Sequence, residues 1–490
     1  MKTRINDVEL TDVEFCGEHL LVPMDNLKDK ENGMVKVYRR YDTGKQTLDL
    51  VHTITVGSLP DMILPTSDCQ TIVVAVEAEA YNNGTHFVDP EGAIGIINFQ
   101  PLQGAESDFR YTRLDFKKYN THWQDLVSRG ARFVYRENNN SFSNDVEPEF
   151  ITFSRDEKIA YVGLQENNAI AEVDIINEEI LAIHPLGYKN WTQFKFDASD
   201  KDHAINMQSW PVMGMYLCDS IKRITVGEKS YLLTANEGDL KDYSAIPGAG
   251  GFNEASRVSS LNIADSSDIA KWASLNGFSG TLQNKQNLGR LQVSNLEGKV
   301  GDEYETLYAF GGRGMSIFDL TTHDIVYDTG SDVEEQIAKQ HPMMFNADGK
   351  KNNDVVSSTM DSRSDNKGPE VEGLEAAQIG DTTVVFLGIE RPGLIAVYTI
   401  TDDVTNLKFE SLWTGIPRTD ATFSDLYNTR SISAVDPEDL RYISPVDSPN
   451  GKPLLLVTGT VSGTVSLLEI RGINSDGSRV LQHIDKPAFG

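Results

Sequence analysis

Carboxylate side chains recur where the sequence predicts the openings of β-strands. The most regular set of these carboxylates consists of Asp61, Glu149, Glu372 and Glu438. Each of them follows or flanks a proline at the opening of a predicted strand. Carboxylates held close together raise one another's pKa, and a divalent cation relieves that repulsion. Oxygen ligands suit calcium, and no Cys or His cluster offers the softer ligands that zinc accepts. These four residues are therefore candidates for a calcium site, with a solvated acidic rim neutralised by arginine as the alternative.

Two arginines are predicted beside these carboxylates and are the candidates for binding an anion. Arg313 lies in a Gly-Gly-Arg-Gly run whose backbone amides and guanidinium suit an anion, and a tight turn with a structural arginine fits the same residues. Arg391 follows a predicted strand and lies next to Glu390. Both arginines could instead serve only to neutralise the acidic rim.

Other chemistry has little support in the sequence. There is no Gly-x-Ser-x-Gly elbow, no Walker loop and no His-Glu-x-x-His motif, and the nine histidines are scattered. A net charge of −29, from 44 basic and 73 acidic residues, argues against nucleic acid, because phosphate binding needs a basic face. The three cysteines, Cys16, Cys69 and Cys218, form no metal signature or disulfide framework, and we predict buried thiols.

The candidate residues are placed by a repeated pattern of short strands. In residues 147–175, three apolar or alternating runs are separated by polar turn clusters, as is typical of antiparallel strands. Seven such units predict an all-β fold, a seven-bladed β-propeller with residues 8–471 as one domain and 472–490 as a C-terminal tail. In a propeller the openings of the first strands meet at one mouth, which would bring the four carboxylates together. A pair of β-sandwiches is the main alternative, and the recurring proline-acid opening disfavours it.

Insertions are predicted between the blades because the openings are unevenly spaced. Short helices are expected at Asp268–Leu275 and Asp332–Gln340, where serine or acidic residues can cap the first turn. The fourth blade is expected within residues 210–263 and the fifth within residues 290–328. Long loops in a compact fold are usually functional or disordered.

The sequence features that bear on cellular location disagree, because some argue against secretion and others fit it. The N-terminus shows no apolar signal segment, the C-terminus shows no hydrophobic tail, and no run approaches the ~18 apolar residues of a membrane helix. Three glycosylation sequons, which fit a secreted protein, begin at Asn83, Asn139 and Asn190.

Several longer motifs carry a family resemblance. They include Leu164-Gln-Glu-Asn-Asn-Ala-Ile170, Thr234-Ala-Asn-Glu-Gly-Asp239, Ser362-Arg-Ser-Asp-Asn-Lys-Gly-Pro-Glu370 and Ser448-Pro-Asn-Gly-Lys-Pro-Leu454. In this order they resemble the choice-of-anchor I domain, the family of the mesenchyme-specific cell-surface glycoproteins of echinoderm skeleton-forming cells. The resemblance implies a propeller of the YVTN/WD40-like class, an extracellular or surface location and, in animals, a link to calcified tissue.

The sequence thus predicts an acidic extracellular or cell-surface β-propeller that associates with divalent cations, with calcium as the cofactor. Mineral or matrix components are the expected partners. One alternative is a metal-dependent phosphomonoesterase, because some bacterial members of the resembled family carry an alkaline-phosphatase label. Another is a non-catalytic protein-interaction scaffold. We favour a protein that is not an enzyme.

Overall fold

A computed structural model describes residues 7–39, 41, 44, 47–100, 108–349, 353–472 and 480–483. These residues form 34 strands, five α-helices and six 3-10 helices, which confirms a mostly β protein. The chain divides into two compact units, Met1–Gly187 with Leu240–Glu254 and Tyr188–Asp239 with Ala255–Gly490. We call these the first and second units and describe each by itself. The single domain and the count of seven blades stay predictions.

The first unit contains three antiparallel sheets, each of which is built largely from strands that follow one another in the chain. Sheet 1 consists of Val8–Leu10, Glu14–Cys16, His19–Asn26, Gly33–Arg39 and Leu50–Gly57. Sheet 2 consists of Pro60–Pro65, Thr71–Val76, Ala93–Gln100 and Asp108–Asp115. Sheet 3 consists of Pro148–Phe153, Ile159–Leu164, Ala169–Asp174 and Glu179–Pro185. A short hairpin pairs Tyr81–Asn82 with Phe87–Val88.

Strand Thr71–Val76 shows why the sequence of the first unit folds as stacked sheets. Its side chains alternate between two hydrophobic cores, with Val73 and Ala75 in one core and Ile72, Val74 and Val76 in the other. Successive side chains of a strand point to opposite faces, so a strand buried on both sides needs apolar residues throughout. β-Branched valine and isoleucine meet that need and favour the extended backbone.

A disulfide joins Cys16 of sheet 1 to Cys69, which lies in the turn that connects the first two strands of sheet 2. The prediction that all three cysteines are thiols was therefore wrong for two of them. The two cysteines are 53 residues apart in the chain, and their Cα atoms lie 5.5 Å apart in the structure. The packing of two sheets brings them together, and the spacing of the cysteines in the sequence does not reveal that packing. Cys218 is a free and buried thiol, as predicted.

The second unit contains three antiparallel four-stranded sheets and one mixed sheet. The mixed sheet 4 consists of Tyr188–Asn190, Met213–Met215, Tyr308–Phe310, Gln292–Ser294 and Ala255–Arg257. Sheet 5 consists of Ile221–Val226, Lys229–Ala235, Met315–Asp319 and Ile325–Asp328. Sheet 6 consists of Val371–Ile379, Thr382–Ile389, Leu394–Ile400 and Lys408–Thr414, and sheet 7 of Pro437–Ile443, Leu454–Gly459, Thr464–Ile470 and Leu481–His483. A further hairpin pairs Lys299–Val300 with Glu303–Tyr304.

The predicted fourth and fifth units are wrong in their composition. Strand Met315–Asp319 pairs with Lys229–Ala235 across the long insertion between them, so sheet 5 takes strands from both predicted units. The remaining strands form sheet 4, in which Met213–Met215 runs parallel to Tyr308–Phe310. Local sequence patterns locate strands, but they do not show which distant strand becomes the partner. Strand Leu481–His483, which lies in the predicted tail, pairs with Thr464–Ile470.

The helices are short. The α-helices are Trp123–Ser128, Phe142–Asp145, Asp268–Leu275, Asp332–Gln340 and Phe423–Asn428, and the 3-10 helices are Lys30–Asn32, Lys117–Thr121, Val258–Ser260, Leu288–Arg290, Pro342–Met344 and Val356–Thr359. Both predicted helices are confirmed with their predicted bounds. Ser267 caps the first of them by accepting a hydrogen bond from the Ala270 amide at 3.1 Å. In the described part of the chain, every helix is too short or too polar to cross a membrane.

Candidate metal centre

A β-bulge opens the first strand of sheets 2, 3, 6 and 7. In each bulge two residues of the first strand lie opposite one residue of the second, and the register shifts fall at Pro60/Ile63, Pro148/Ile151, Val371/Leu374 and Pro437/Leu440. The first residues of the four bulges are Asp61, Glu149, Glu372 and Glu438. A bulge re-aims the side chains that it carries. The four predicted ligands therefore occupy equivalent positions in four sheets, two in each unit.

In the second unit, carboxylates from three sheets gather into one group, which we call the acidic cluster. Its members are Asp219, Glu237, Glu370, Glu372, Glu390 and Asp436. They form three overlapping triads, in each of which one oxygen per residue lies within 4.8 Å of the others: Asp219–Glu237–Glu372, Glu237–Glu370–Glu390 and Glu372–Glu390–Asp436. Of the four predicted ligands, Glu372 belongs to the cluster. The charge of Glu438 contributes to raising the pKa of Glu372.

Strand ends and backbone bonds set the positions of the cluster. Glu372 lies in the bulge of sheet 6, and Glu390 directly follows the second strand of that sheet. The Glu390 amide donates to the Glu370 carbonyl at 2.8 Å, which ties the opening of the first strand to the end of the second. Asp436 directly precedes sheet 7, where its carbonyl accepts from the Thr460 amide at 3.0 Å. The same local arrangement is thus repeated in neighbouring sheets.

Crowding and burial shift the pKa values of the central carboxyls strongly. Burial and the charges of Glu237, Glu438, Glu390 and Asp219 raise the pKa of Glu372 well above its ordinary value. Burial and the neighbouring Glu370 and Glu237 raise the pKa of Glu390 to about 10. Both shifts disfavour the ionised carboxylate, and a bound cation would favour it.

Three basic side chains, Arg363, Lys367 and Arg391, pair with carboxylates of the cluster. Burial opposes ionisation of Glu370, but Lys367, Arg363 and Arg391 together hold its pKa well below its ordinary value. The Lys367 ammonium lies 3.4 Å from a Glu370 oxygen, and the Arg391 guanidinium donates to Glu370 at 3.4 Å. Lys367 also pairs with Glu237. These contacts compensate Glu370 and part of the charge of Glu237, and the charge of Arg391 also interacts with Glu390 and Asp436.

Two buried carboxylate oxygens of the cluster accept no hydrogen bond from the described residues. They are Oδ1 of Asp436 and Oε2 of Glu372. The Asp436 residue is only 7% exposed, and its other oxygen, Oδ2, accepts from the Thr460 hydroxyl at 2.7 Å. A buried polar atom without a partner costs free energy, so such an atom in a native fold points to an ion or a water molecule.

Asp61 and Glu149 lie in the first unit, where Asp61 belongs to a second group of acidic residues around Glu77. Burial, followed by the charges of Asp61 and Glu147, raises the pKa of Glu77 well above its ordinary value. Glu147 is held by the buried Lys241 ammonium at 2.7 Å. Among the described residues, no carboxylate triad with the close spacing of the acidic cluster includes Asp61 or Glu149.

Both candidate arginines already bind carboxylate or carbonyl groups of the protein itself. Arg313 is buried, and its guanidinium donates to Glu334 at 3.0 Å and to three backbone carbonyls, those of Asp197, Ser364 and Asn366. An anion would have to displace these acceptors. Arg391 lies 2.8 Å from Glu390 and also contacts Glu370, so it belongs to the acidic cluster.

The three sequons differ in their surroundings. Asn83 and Thr85 are both exposed at the tip of the short hairpin of the first unit. Asn139 is exposed, but the Ser141 hydroxyl is used in the cap of helix Phe142–Asp145. Asn190 is half-buried in a strand of sheet 4.

The propeller pattern also predicts Glu237, Glu370 and Glu390 at the acidic mouth, although not as metal ligands. Sequence reasoning missed Asp219 and Asp436 altogether. Asp436 directly precedes Pro437, as Glu147 precedes Pro148, and this position before the bulge was the available signal. Asp219 gave no such signal, because sheet 5 opens without a proline and its first two strands pair without a bulge. Only the packing of sheet 5 near sheet 6 brings Asp219 to Glu372.

Fold and site together define a mostly β protein of successive small sheets, with an acidic cluster at the strand openings of its second unit. The chain belongs to the choice-of-anchor I domain family, whose model matches residues 1–403. This finding confirms the resemblance of the motifs.

Two named relatives are similar to this chain. Gigasin-3a of Magallana gigas is 40% identical over 196 residues, which is 40% of this chain and 69% of the relative. The mesenchyme-specific cell surface glycoprotein of Strongylocentrotus purpuratus is 29% identical over 349 residues, or 67% of this chain, and the match spans only 41% of that protein. Among solved structures, the periplasmic gluconolactonase of Pseudomonas aeruginosa matches over 95% of both chains with 11% identity and a TM-score of 0.35, which is too low to establish a common fold.

Proposed function

We propose that this chain is an extracellular or cell-surface protein that binds a divalent cation at its acidic cluster, with calcium preferred over zinc. The observation that carries the proposal is the triad Glu372–Glu390–Asp436, in which two buried oxygens accept no hydrogen bond from the described residues. A cation placed there would satisfy both oxygens and relieve the repulsion that raises the pKa of Glu372 and Glu390.

The spacing and chemistry of the triad favour calcium. Calcium binds oxygen at ~2.3–2.6 Å, so two ligands of one ion lie at most about 5 Å apart. The 4.8 Å limit that the triad meets falls within this span. All three ligands are carboxylates, and calcium accepts further oxygens from water and backbone carbonyls, whereas zinc prefers nitrogen and sulfur.

Two observations support a location outside the cytoplasm. The sea-urchin relative is named a cell-surface glycoprotein. The disulfide between Cys16 and Cys69 is a bond that persists in oxidising compartments and is rare in the cytosol. A surface protein that binds calcium would have mineral or matrix components as its partners, and we retain that role as part of the proposal.

A thermal melt across a calcium titration tests the cation site. A cation that binds only the folded state raises the melting temperature as its concentration rises. The double variant Glu372→Gln, Asp436→Asn should lose most of that rise, because both side chains keep their shape and lose their charge. Glu228→Gln with Asp381→Asn is the matched control, since both residues are exposed in turns of sheets 5 and 6.

The control variant should show the same calcium-dependent rise as the wild type. If calcium raised the melting temperature of the cluster variant equally, or did not raise that of the wild type, the carboxylates would be only a solvated acidic rim. The scaffold alternative would then replace this proposal. Zinc at the same concentrations should give a smaller rise than calcium.

The phosphomonoesterase alternative needs an arginine that is able to hold phosphate beside the metal. Arg391 is the arginine nearest to the triad, and it is paired with Glu390 and Glu370. Hydrolysis of a phosphomonoester that is lost in the Glu372→Gln, Asp436→Asn variant would favour this alternative.

A further inference from the structure

A groove runs along the second unit between the outer strand of sheet 6 and the third strand of sheet 7. It consists of two adjoining cavities of about 480 and 360 Å³, and Ile432 lines both. Its floor is the return segment 429–436, which connects helix Phe423–Asn428 to sheet 7. Cavities of ~300–1,000 Å³ are of a size that holds small ligands.

The lining of the larger cavity is rich in hydroxyl groups and contains one cation. Ser466 is only 2% exposed, and its Oγ has no hydrogen-bond partner in the described structure. Arg430 lines the cavity and is exposed, and it forms no ion pair with any described carboxylate. The buried hydroxyl lacks a polar partner, and the exposed guanidinium is available to pair with an anionic ligand.

The walls add an aromatic surface to these polar groups. Trp413 lines the larger cavity, and Tyr427 lines the smaller one. An aromatic ring packs against the C–H face of a sugar, while hydroxyls and a guanidinium can bond its oxygens. A purely apolar ligand would leave the hydroxyl of Ser466 without a partner, which costs free energy.

The backbone of the return segment is held in an unusual conformation. Arg430, Ala434 and Asp436 have φ values of 52°, 48° and 62°. Such a backbone conformation is strained for a residue other than glycine and persists only where the surrounding structure holds it. The left-handed conformation at Arg430 sets where its side chain leaves the backbone at the edge of the cavity.

We propose that this groove binds a carboxylated sugar. The carboxylate would pair with the Arg430 guanidinium, for which a planar two-oxygen group is the best match. The ring hydroxyls would bond Ser466 and Ser433, and the ring face would pack near Trp413. This proposal does not depend on the cation site, because none of these residues belongs to the acidic cluster.

Calorimetric titration of the full chain with glucuronate tests the proposal, with glucose and sulfate as comparison ligands. Glucuronate should bind saturably, and glucose, which has the ring without the charge, should bind roughly tenfold or more weakly. Arg430→Gln should reduce the glucuronate affinity to that of glucose. Glutamine retains the left-handed cost of a non-glycine residue at this position, so the variant changes charge and not backbone preference.

Arg155→Gln is the matched control, because Arg155 is an exposed arginine of the first unit, and this variant should bind glucuronate as the wild type does. Ser466→Ala should weaken binding without changing the melting temperature by much. If sulfate bound as tightly as glucuronate, the groove would bind anions in general and would not recognise the sugar. Absence of glucuronate binding, or unchanged binding in Arg430→Gln, would overturn the proposal.

Discussion

Glu372 and Glu390 illustrate how a crowded residue can make a site sensitive to pH. The pKa of Glu390 is raised to about 10 and that of Glu372 is raised well above its ordinary value, chiefly by burial and by neighbouring carboxylates. Burial also raises the pKa of Glu237. Glu370 has a lowered pKa, so it is ionised in the folded state throughout the neutral range.

We expect the stability of the cation-free protein to fall as the pH rises from about 5 towards 10. In this window the folded state binds more protons than the unfolded state, because the folded pKa values are raised, and the free energy of unfolding then decreases with pH. A cation replaces those protons, so the calcium-dependent rise in melting temperature should grow over the same window. Thermal melts with and without calcium at about pH 5.5, 7 and 8.5 measure both trends.

The Glu372→Gln variant is the control for this pH dependence. It removes one titrating group, so the melting temperature without calcium should depend less steeply on pH than in the wild type. A calcium effect of the same size at every pH would contradict the assignment of protonated carboxyls to the cation site.

At the scale of the element, the bulge of sheet 6 depends on a glycine. Gly373 is the second bulged residue, and a Cβ atom built there would lie 2.8 Å from the Pro437 carbonyl oxygen and 3.1 Å from the Glu438 carbonyl oxygen. Both contacts are with the backbone of sheet 7, directly after Asp436. The close approach of two first strands therefore requires a residue without a side chain.

Gly373→Ala should consequently disturb the cation site more than it disturbs the fold. The methyl group would push the backbone at Pro437 away and move Asp436 relative to Glu372, so the calcium-dependent rise in melting temperature should shrink markedly. Gly380→Ala is the control, because Gly380 lies in a turn of sheet 6 with φ of 62° and open space around it. That variant should lower the melting temperature and keep the calcium effect. A full calcium effect in Gly373→Ala would show that the close approach does not position the site.

At the scale of the whole molecule, the disulfide relates stability to the compartment. Cys16→Ser with Cys69→Ser opens a loop of 53 residues, and the chain-entropy relation gives a loss of roughly 4 kcal/mol in the free energy of unfolding. Denaturant unfolding of the variant and of the wild type, with and without dithiothreitol, measures this loss. The reductant should destabilise the wild type alone. Equal stability of all four samples would mean that the bond does not hold the first unit together.

The sequence by itself determined the mostly β class, the two helices Asp268–Leu275 and Asp332–Gln340, and the equivalence of the four acidic openings. These properties are local. Helix caps, alternating apolar residues and a proline followed by a carboxylate act over a few residues, so they are readable without knowledge of the rest of the chain. The motifs that placed the chain in its family are likewise continuous segments.

Tertiary structure alone decided which distant groups became neighbours. It paired Met315–Asp319 with Lys229–Ala235, joined Cys16 to Cys69, and added Asp219 and Asp436 to the acidic cluster. Each of these contacts joins segments far apart in the chain, and their selection depends on how whole sheets bury their faces against one another. The strand signals of each segment are compatible with several partners, and only the packing of the complete units selects one.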